Sequence, residues 1–172
     1  MSTKAFHLTK PPIAKAEMLI RKPVADVFEA FVDPAITSKF WFTNGSGKLE
    51  PGADVQWDWE MYGVSSHAHV QEFEQNKRIL VQWSSADEPP TTIEWRFVAL
   101  TADTTFVSVT HAGFHGDGDE VVNQAIDSTE GFSLMLSGLK AFLEHNLGLN
   151  LVLDRFPEGI DDNRSDSRED QS

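Results

Sequence analysis

The sequence predicts an α+β fold in which a curved antiparallel sheet is closed by one long C-terminal helix. Three observations predict it. From Asp54 to His111 the chain runs as five segments whose apolar and polar residues alternate with a period of two, the pattern of half-buried strands. The connections Gln75-Asn76-Lys77, Asp87-Glu88-Pro89-Pro90 and Thr101-Ala102-Asp103 are too short for parallel crossovers and therefore join antiparallel neighbours. Beyond Asp119 the spacing becomes helical, with Phe132, Met135, Leu136, Leu139 and Leu143 on one stripe.

The first strand is expected over Ala14–Ile20, ended by Pro23. Val24, Val27, Phe28 and Phe31 then fall at helical spacing, with Asp26 and Glu29 early in the helix where its dipole favours carboxylates. Asp33-Pro34 stops that helix, because a residue before proline disfavours the α region. A short helical turn over Ala35–Phe40 leads into Trp41-Phe42 and the turn-rich Asn44-Gly45-Ser46-Gly47. The strands follow: Asp54 to Met61 with Val55, Trp57, Trp59 and Met61 on one buried face, then Ser66–Glu74, Arg78–Trp83, Thr91–Ala99 and Thr104–His111. The closing helix, Asp119 to Leu147, is interrupted by Gly131 and Gly138, seven apart on one stripe. Each costs up to about 1 kcal/mol against alanine, so on that side either the backbone must come close to a neighbour or a space must stay open.

A chain of 172 residues supplies one core and needs no disulfide or metal staple. With no cysteine it excludes a disulfide framework, a thiolate zinc site, an iron–sulfur cluster and a thiol nucleophile, and suits a reducing cytoplasm. The formal charge of −13 repels phosphate backbones and anionic headgroups, so nucleic acid is a poor partner. No apolar run precedes Pro11 and Pro12 as a secretory signal would require, and no segment is long enough to insert in a membrane. There is no G-x-S-x-G, Walker lysine or Ser/His/Asp set, so no catalytic residue, cofactor or metal is assigned.

The order of elements resembles the helix-grip fold of the START-like (SRPBCC) superfamily. The wording is narrower. The run from Ile20 to Pro34 (IRKPVADVFEAFVDP) followed by Phe40-Trp41 resembles the opening of proteins similar to the activator of the heat-shock protein 90 ATPase. So do Val70-Gln71-Glu72-Phe73-Glu74 running into Arg78–Trp83, Thr110-His111-Ala112-Gly113-Phe114, and Glu130-Gly131-Phe132. The resemblance spans Ala14 to Leu147. It implies the fold, and it implies a chaperone as one partner; members of this fold also include ligand carriers and cyclases.

A helix laid across a curved sheet leaves part of the concave face uncovered, and the shortfall is a cavity. Its expected lining is Trp41, Trp57, Trp59, Trp83 and Trp95 with His111, Met135, Gly138 and Leu139; buried indoles need N–H partners, which a ligand pocket supplies. The plain alternative is that these residues fill a core. His111, alternating with Val107 and Val109, points inward as either a hydrogen-bonded core histidine or the group that orients a ligand. His67 and His69 face one side of a strand but have no third ligand fixed by the sequence. His115, Asp117, Asp119 and Glu120 fail the calcium-loop template and read as capping and dipole residues before a helix. The expected function is binding of a small apolar or amphipathic ligand by a monomer or homodimer. A co-chaperone-like interaction domain stands second, and a cyclase-like enzyme using His111 or Glu94 third.

Residues 1–13 read as an N-terminal extension, 14–156 as the domain and 157–172 as an acidic tail, in which six acids against two arginines surround Ile160 as the one large hydrophobe. Such a composition buries too little apolar surface to offset backbone entropy, so the tail is expected to be disordered. Truncation after Phe156 should leave the melting temperature within the few degrees that about 1 kcal/mol produces; a larger fall in a thermal melt would show that the tail docks.

Overall fold

In the computed structural model, residues 5–85 and 87–160 are described; most of the acidic tail, 161–172, lies outside them. One seven-stranded antiparallel sheet runs in the order β1-β7-β6-β5-β4-β3-β2. Its strands are β1 (Ala14–Ile20), β2 (Asn44–Gly45), β3 (Asp54–Trp59), β4 (Val64–Glu74), β5 (Arg78–Ser84), β6 (Thr91–Thr101) and β7 (Thr104–Ala112). The helices are α1 (Val24–Val32), α2 (Pro34–Thr37), α3 (Gly118–His145) and α4 (Leu151–Arg155). Register shifts between Val70 and Glu72 in β4 and between Ala99 and Thr101 in β6 place bulges in two long strands, and bulges bend the strands that carry them. The sheet therefore curls around α3 as a half-barrel.

Asp33 is the pivot between the first two helices. It closes α1, and its carboxylate accepts the Ala35 N–H at 2.9 Å to cap α2, with Pro34 in the first turn where its missing N–H is not needed. Thr37 locks the pair by donating its hydroxyl to the Ala30 carbonyl at 2.6 Å in the core. At the start of α3 Asp117 and Glu120 form a reciprocal capping box, which is the structural role of the acids before this helix.

The strand expected to reach Met61 stops at Trp59. Glu60–Tyr62 is a 3-10 turn ended by Gly63 at φ 62°, and Met61 is exposed rather than on the buried face. The connection to β4 is a tight reversal that the alternation of residue types continues through, and only a residue tolerant of the left-handed region ends it.

The C-terminal half of α3 is clamped to the sheet edge. β1 pairs only with β7, so its outer edge needs other partners. Lys140 Nζ donates to the Leu19 carbonyl at 2.8 Å and to Glu144 at 2.6 Å, and Glu144 in turn accepts the Arg21 N–H at 3.3 Å. Burial pushes the Glu144 carboxyl up, but the Lys140 ammonium and the Arg21 amide outweigh it and hold the group below its ordinary value. Met135, Leu136 and Leu139 are fully buried along this half.

Gly138 belongs to this clamp and not to a space. A Cβ there would lie 3.3 Å from both the Cβ and the carbonyl oxygen of Phe40, so the glycine allows the helix to approach the α2–β2 segment. Gly138→Leu should accordingly cost about 1–3 kcal/mol by overpacking, read as a lower denaturation midpoint at unchanged m-value. A variant as stable as the parent would mean that this approach is looser than described.

Candidate functional site: an aromatic cavity under the N-terminal half of the long helix

A cavity of about 480 Å³ opens between the N-terminal half of α3, the β3–β6 part of the sheet and α4. Trp41, Trp59 and Trp83 form one wall, with ring centroids 5.6, 6.1 and 6.3 Å apart. Phe132, Phe114 and His111 close the inner end. Gly131 lines the opposite side with nothing within 4 Å of where a Cβ would sit, so of the two helix glycines this one keeps space open.

Of the nine residues expected to line a cavity, Trp41, Trp59, Trp83 and His111 do so. Trp57, Trp95, Met135, Gly138 and Leu139 do not; they lie in the packed core. The reason is local. Trp41 and Phe42, delivered by the turn after α2, cover the concave face over Trp57: the Phe42 ring stacks on it at 5.6 Å and 18°, and Trp41 lies 5.0 Å away. Trp95 meets Phe31 of α1 and Trp41. The helix residues belong to the clamped half of α3.

His111 is buried with both ring nitrogens engaged, Nδ1 with Ser128 Oγ at 2.6 Å and Nε2 with Thr91 Oγ1 at 2.7 Å. Thr91 Oγ1 donates to the Trp83 carbonyl at 3.4 Å and so accepts from Nε2–H, which leaves Nδ1 to accept the Ser128 hydroxyl. The ring packs against Trp83, Phe114 and Phe132 at 5.3, 4.6 and 5.8 Å. Burial among these groups, without a carboxylate partner, lowers its pKa to about 4. Glu94, the other acid–base candidate, is on the outer face of β6. There Arg78 and Arg96 pair with it and, against the upward push of burial, hold it below the usual carboxylate range. It cannot reach the cavity.

Two polar atoms in the cavity wall are buried without a hydrogen-bond partner, Ser66 Oγ and Trp83 Nε1. Buried indole and hydroxyl groups normally find partners, so these mark where a bound molecule could be hydrogen-bonded. His67 and His69 are on the opposite, exposed face, and His69 contacts Asp54 at 2.7 Å. No group of three metal-ligating side chains occurs among the described residues.

α4 forms the remaining wall, an element that the sequence pattern does not mark. Asn146 and Asn150, both at positive φ, turn the chain back, and Val152, Arg155 and Phe156 lie over the opening. Tyr62 donates its hydroxyl to the Val152 carbonyl, Arg155 pairs with Glu130 of α3, and the Arg155 guanidinium sits 4.4 Å from the centre of the Phe156 ring. Leu151-Val152-Leu153 after Gly148 was the available signal, too short to be separated from a loop by periodicity.

A half-barrel sheet gripping a long C-terminal helix over an aromatic cavity defines the helix-grip fold of the START-like superfamily. Within it, residues 21–144 match the model of the family described as Activator of Hsp90 ATPase homolog 1-like protein, and the chain belongs to that family. Among solved structures it is similar to the protein SSP2350 from Staphylococcus saprophyticus, at 30% identity and TM-score 0.69 over 80% of this chain and 96% of that one. Similarity to the Aha1 dimer from Colwellia psychrerythraea (20% identity, TM-score 0.66, 80% and 99% covered) lies in the fold. The same holds for PFC0360w, an HSP90 activator from Plasmodium falciparum (15%, 0.60, 77% and 96%). No curated protein matches the chain.

The titration of His111 has a measurable consequence. In the unfolded chain an imidazole takes up its proton near pH 6.5, in the fold only near 4, so this residue's contribution is complete above pH 6.5 and is lost as pH falls towards 4, about 3 kcal/mol in all. His111→Phe should destabilise by about 1–3 kcal/mol at pH 7, where the Thr91 and Ser128 hydroxyls lose their partner. The gap to the parent should narrow as pH falls from 6.5 to 4. A gap constant across that range in urea melts would contradict the burial of the ring.

Proposed function

We propose that the protein binds a small apolar or amphipathic molecule in the cavity between sheet, α3 and α4. The observation that carries this reading is the cavity wall itself, three indoles with two buried polar atoms, Ser66 Oγ and Trp83 Nε1, that have no partner. Gly131, exposed on the α3 side of the opening, adds no side chain to cover it. A volume of about 480 Å³ is within the range of small-ligand sites. Native mass spectrometry of the purified protein should reveal a co-purifying ligand. The neutral probe N-phenyl-1-naphthylamine should gain fluorescence on binding.

Gly131→Leu tests the site directly. The side chain would occupy the void, so probe affinity should fall at least tenfold while the melting temperature stays level or rises, since leucine is the better helix former. Unchanged probe binding in a folded variant would sink the reading.

A second reading is supported by the family and by the similarity to an HSP90 activator: interaction with a chaperone of that kind, in the cytoplasm, as monomer or homodimer. Stimulation of the chaperone's ATPase by this chain, unaffected by Gly131→Leu, would favour it over the cavity.

A further inference from the structure

The ligand-binding reading leaves the ligand's charge open, and the charged groups around the cavity bear on it. Four ionisable side chains other than His111 and Tyr62 line it: Glu88, Asp127, Glu130 and Arg155. The single cation is already committed. Arg155 engages both carboxylate oxygens of Glu130 and lies against the Phe156 ring, and Asp127 is close enough to favour its charged form further. Glu88 and Asp127 have no ion pair of their own among the described residues. The surrounding chain, at −13, deepens the negative potential there.

The walls point the same way. The three indoles offer negative π faces, and Tyr62 and Phe156 add two more rings at the opening, 5.8 Å apart. At the inner end His111 faces only hydroxyls and rings, those of Thr91, Ser128, Trp83, Phe114 and Phe132, and supplies no positive charge at neutral pH. An anionic ligand would give up its hydration with no free cation to replace it, which is the unfavourable case for burying a charge.

We propose that the cavity selects organic cations, molecules with an apolar body and an ammonium group, and discriminates against carboxylates and phosphates. The body lies along the Trp41, Trp59 and Trp83 wall. The ammonium sits towards the opening, where Asp127 and Glu88 supply carboxylates and the Tyr62 and Phe156 rings supply π faces.

Three naphthalene probes of closely similar shape test this by calorimetry: trimethyl(2-naphthylmethyl)ammonium, its uncharged isostere 2-neopentylnaphthalene, and 2-naphthylacetate. The cation should bind about tenfold more tightly than the isostere, the scale of a few partly exposed cation–π and ion-pair contacts, and the carboxylate most weakly. Raising the salt concentration should narrow the ratio. The surface double variant Glu88→Gln, Asp127→Asn, checked for an unchanged melting temperature, should reduce the ratio at least threefold. Carboxylate binding as tight as that of the cation overturns the inference, as does equal binding of cation and isostere, or a ratio the double variant leaves intact; each of these leaves the ligand-binding reading standing. Failure of all three probes to bind the parent protein overturns both.

Discussion

The position of Trp41 decides which part of the concave sheet becomes core and which becomes cavity. Its ring lies within 6.3 Å of Trp57, Trp59, Trp83, Trp95, Phe42 and Phe132, so one side chain on a short connection bridges four indoles from three strands to the long helix. On the α1 side of Trp41 the aromatics interlock: Phe28 with Phe73 and Phe97 in edge contacts, Phe31 with Phe40, Trp95 and Phe97. Such pairs add about 0.5–1.5 kcal/mol each to their burial, and a core this dense leaves no room for a ligand. On the other side the same indole turns a face to open space. The connection that delivers it is itself fixed by Asp33, Pro34 and Thr37, which is why a four-residue helix matters to a site some distance along the chain.

The long helix divides at the same level. Its C-terminal half is drawn in by Gly138 and by the Lys140 and Glu144 bonds to the β1 edge, and this satisfies backbone groups an edge strand would otherwise expose. The N-terminal half carries no such glycine contact with the sheet side: beside Gly131 nothing stands within reach of a Cβ, and the cavity opens there. His111 holds the transition between the halves, tying β7 to Ser128 of α3 and to Thr91 of β6 through one neutral ring. A neutral imidazole with both nitrogens occupied is a structural cross-link first, and it can present polarity to a ligand only through the hydroxyls it orients.

The fold was legible because its signals are local. Alternation over β3 to β7, short connections and the apolar stripe of α3 each state an element and its buried face, and the strand bounds at Ala14–Ile20 and the starts of β3, β5, β6 and β7 follow from them directly. The site was legible only in part. Alternation places Trp57 and Trp59 on one face equally, and only the turn that lays Phe42 over Trp57 separates them. The two glycines look identical in sequence, yet Phe40 stands against one and nothing against the other. Tyr62, Arg155 and Phe156 are not legible as neighbours in the sequence because their meeting depends on two asparagines at positive φ turning α4 back across ninety residues of sequence separation.

That last element is also held by the least. Among the described residues α4 and the Phe156 that follows it are joined to the body by a phenol–carbonyl bond from Tyr62, an edge contact between the Tyr62 and Phe156 rings, an Arg155–Glu130 pair that is nearly half exposed, and a few partly buried contacts of Val152. Exposed pairs contribute on the order of 0–1 kcal/mol, far less than the aromatic packing beneath Trp41. Elements with few buried contacts open at a fraction of the global free energy. The cavity is therefore bounded on three sides by the most strongly packed part of the molecule and on the fourth by one of the weakest, so a ligand bound as proposed would enter past α4 at less cost than through the core that shapes the site.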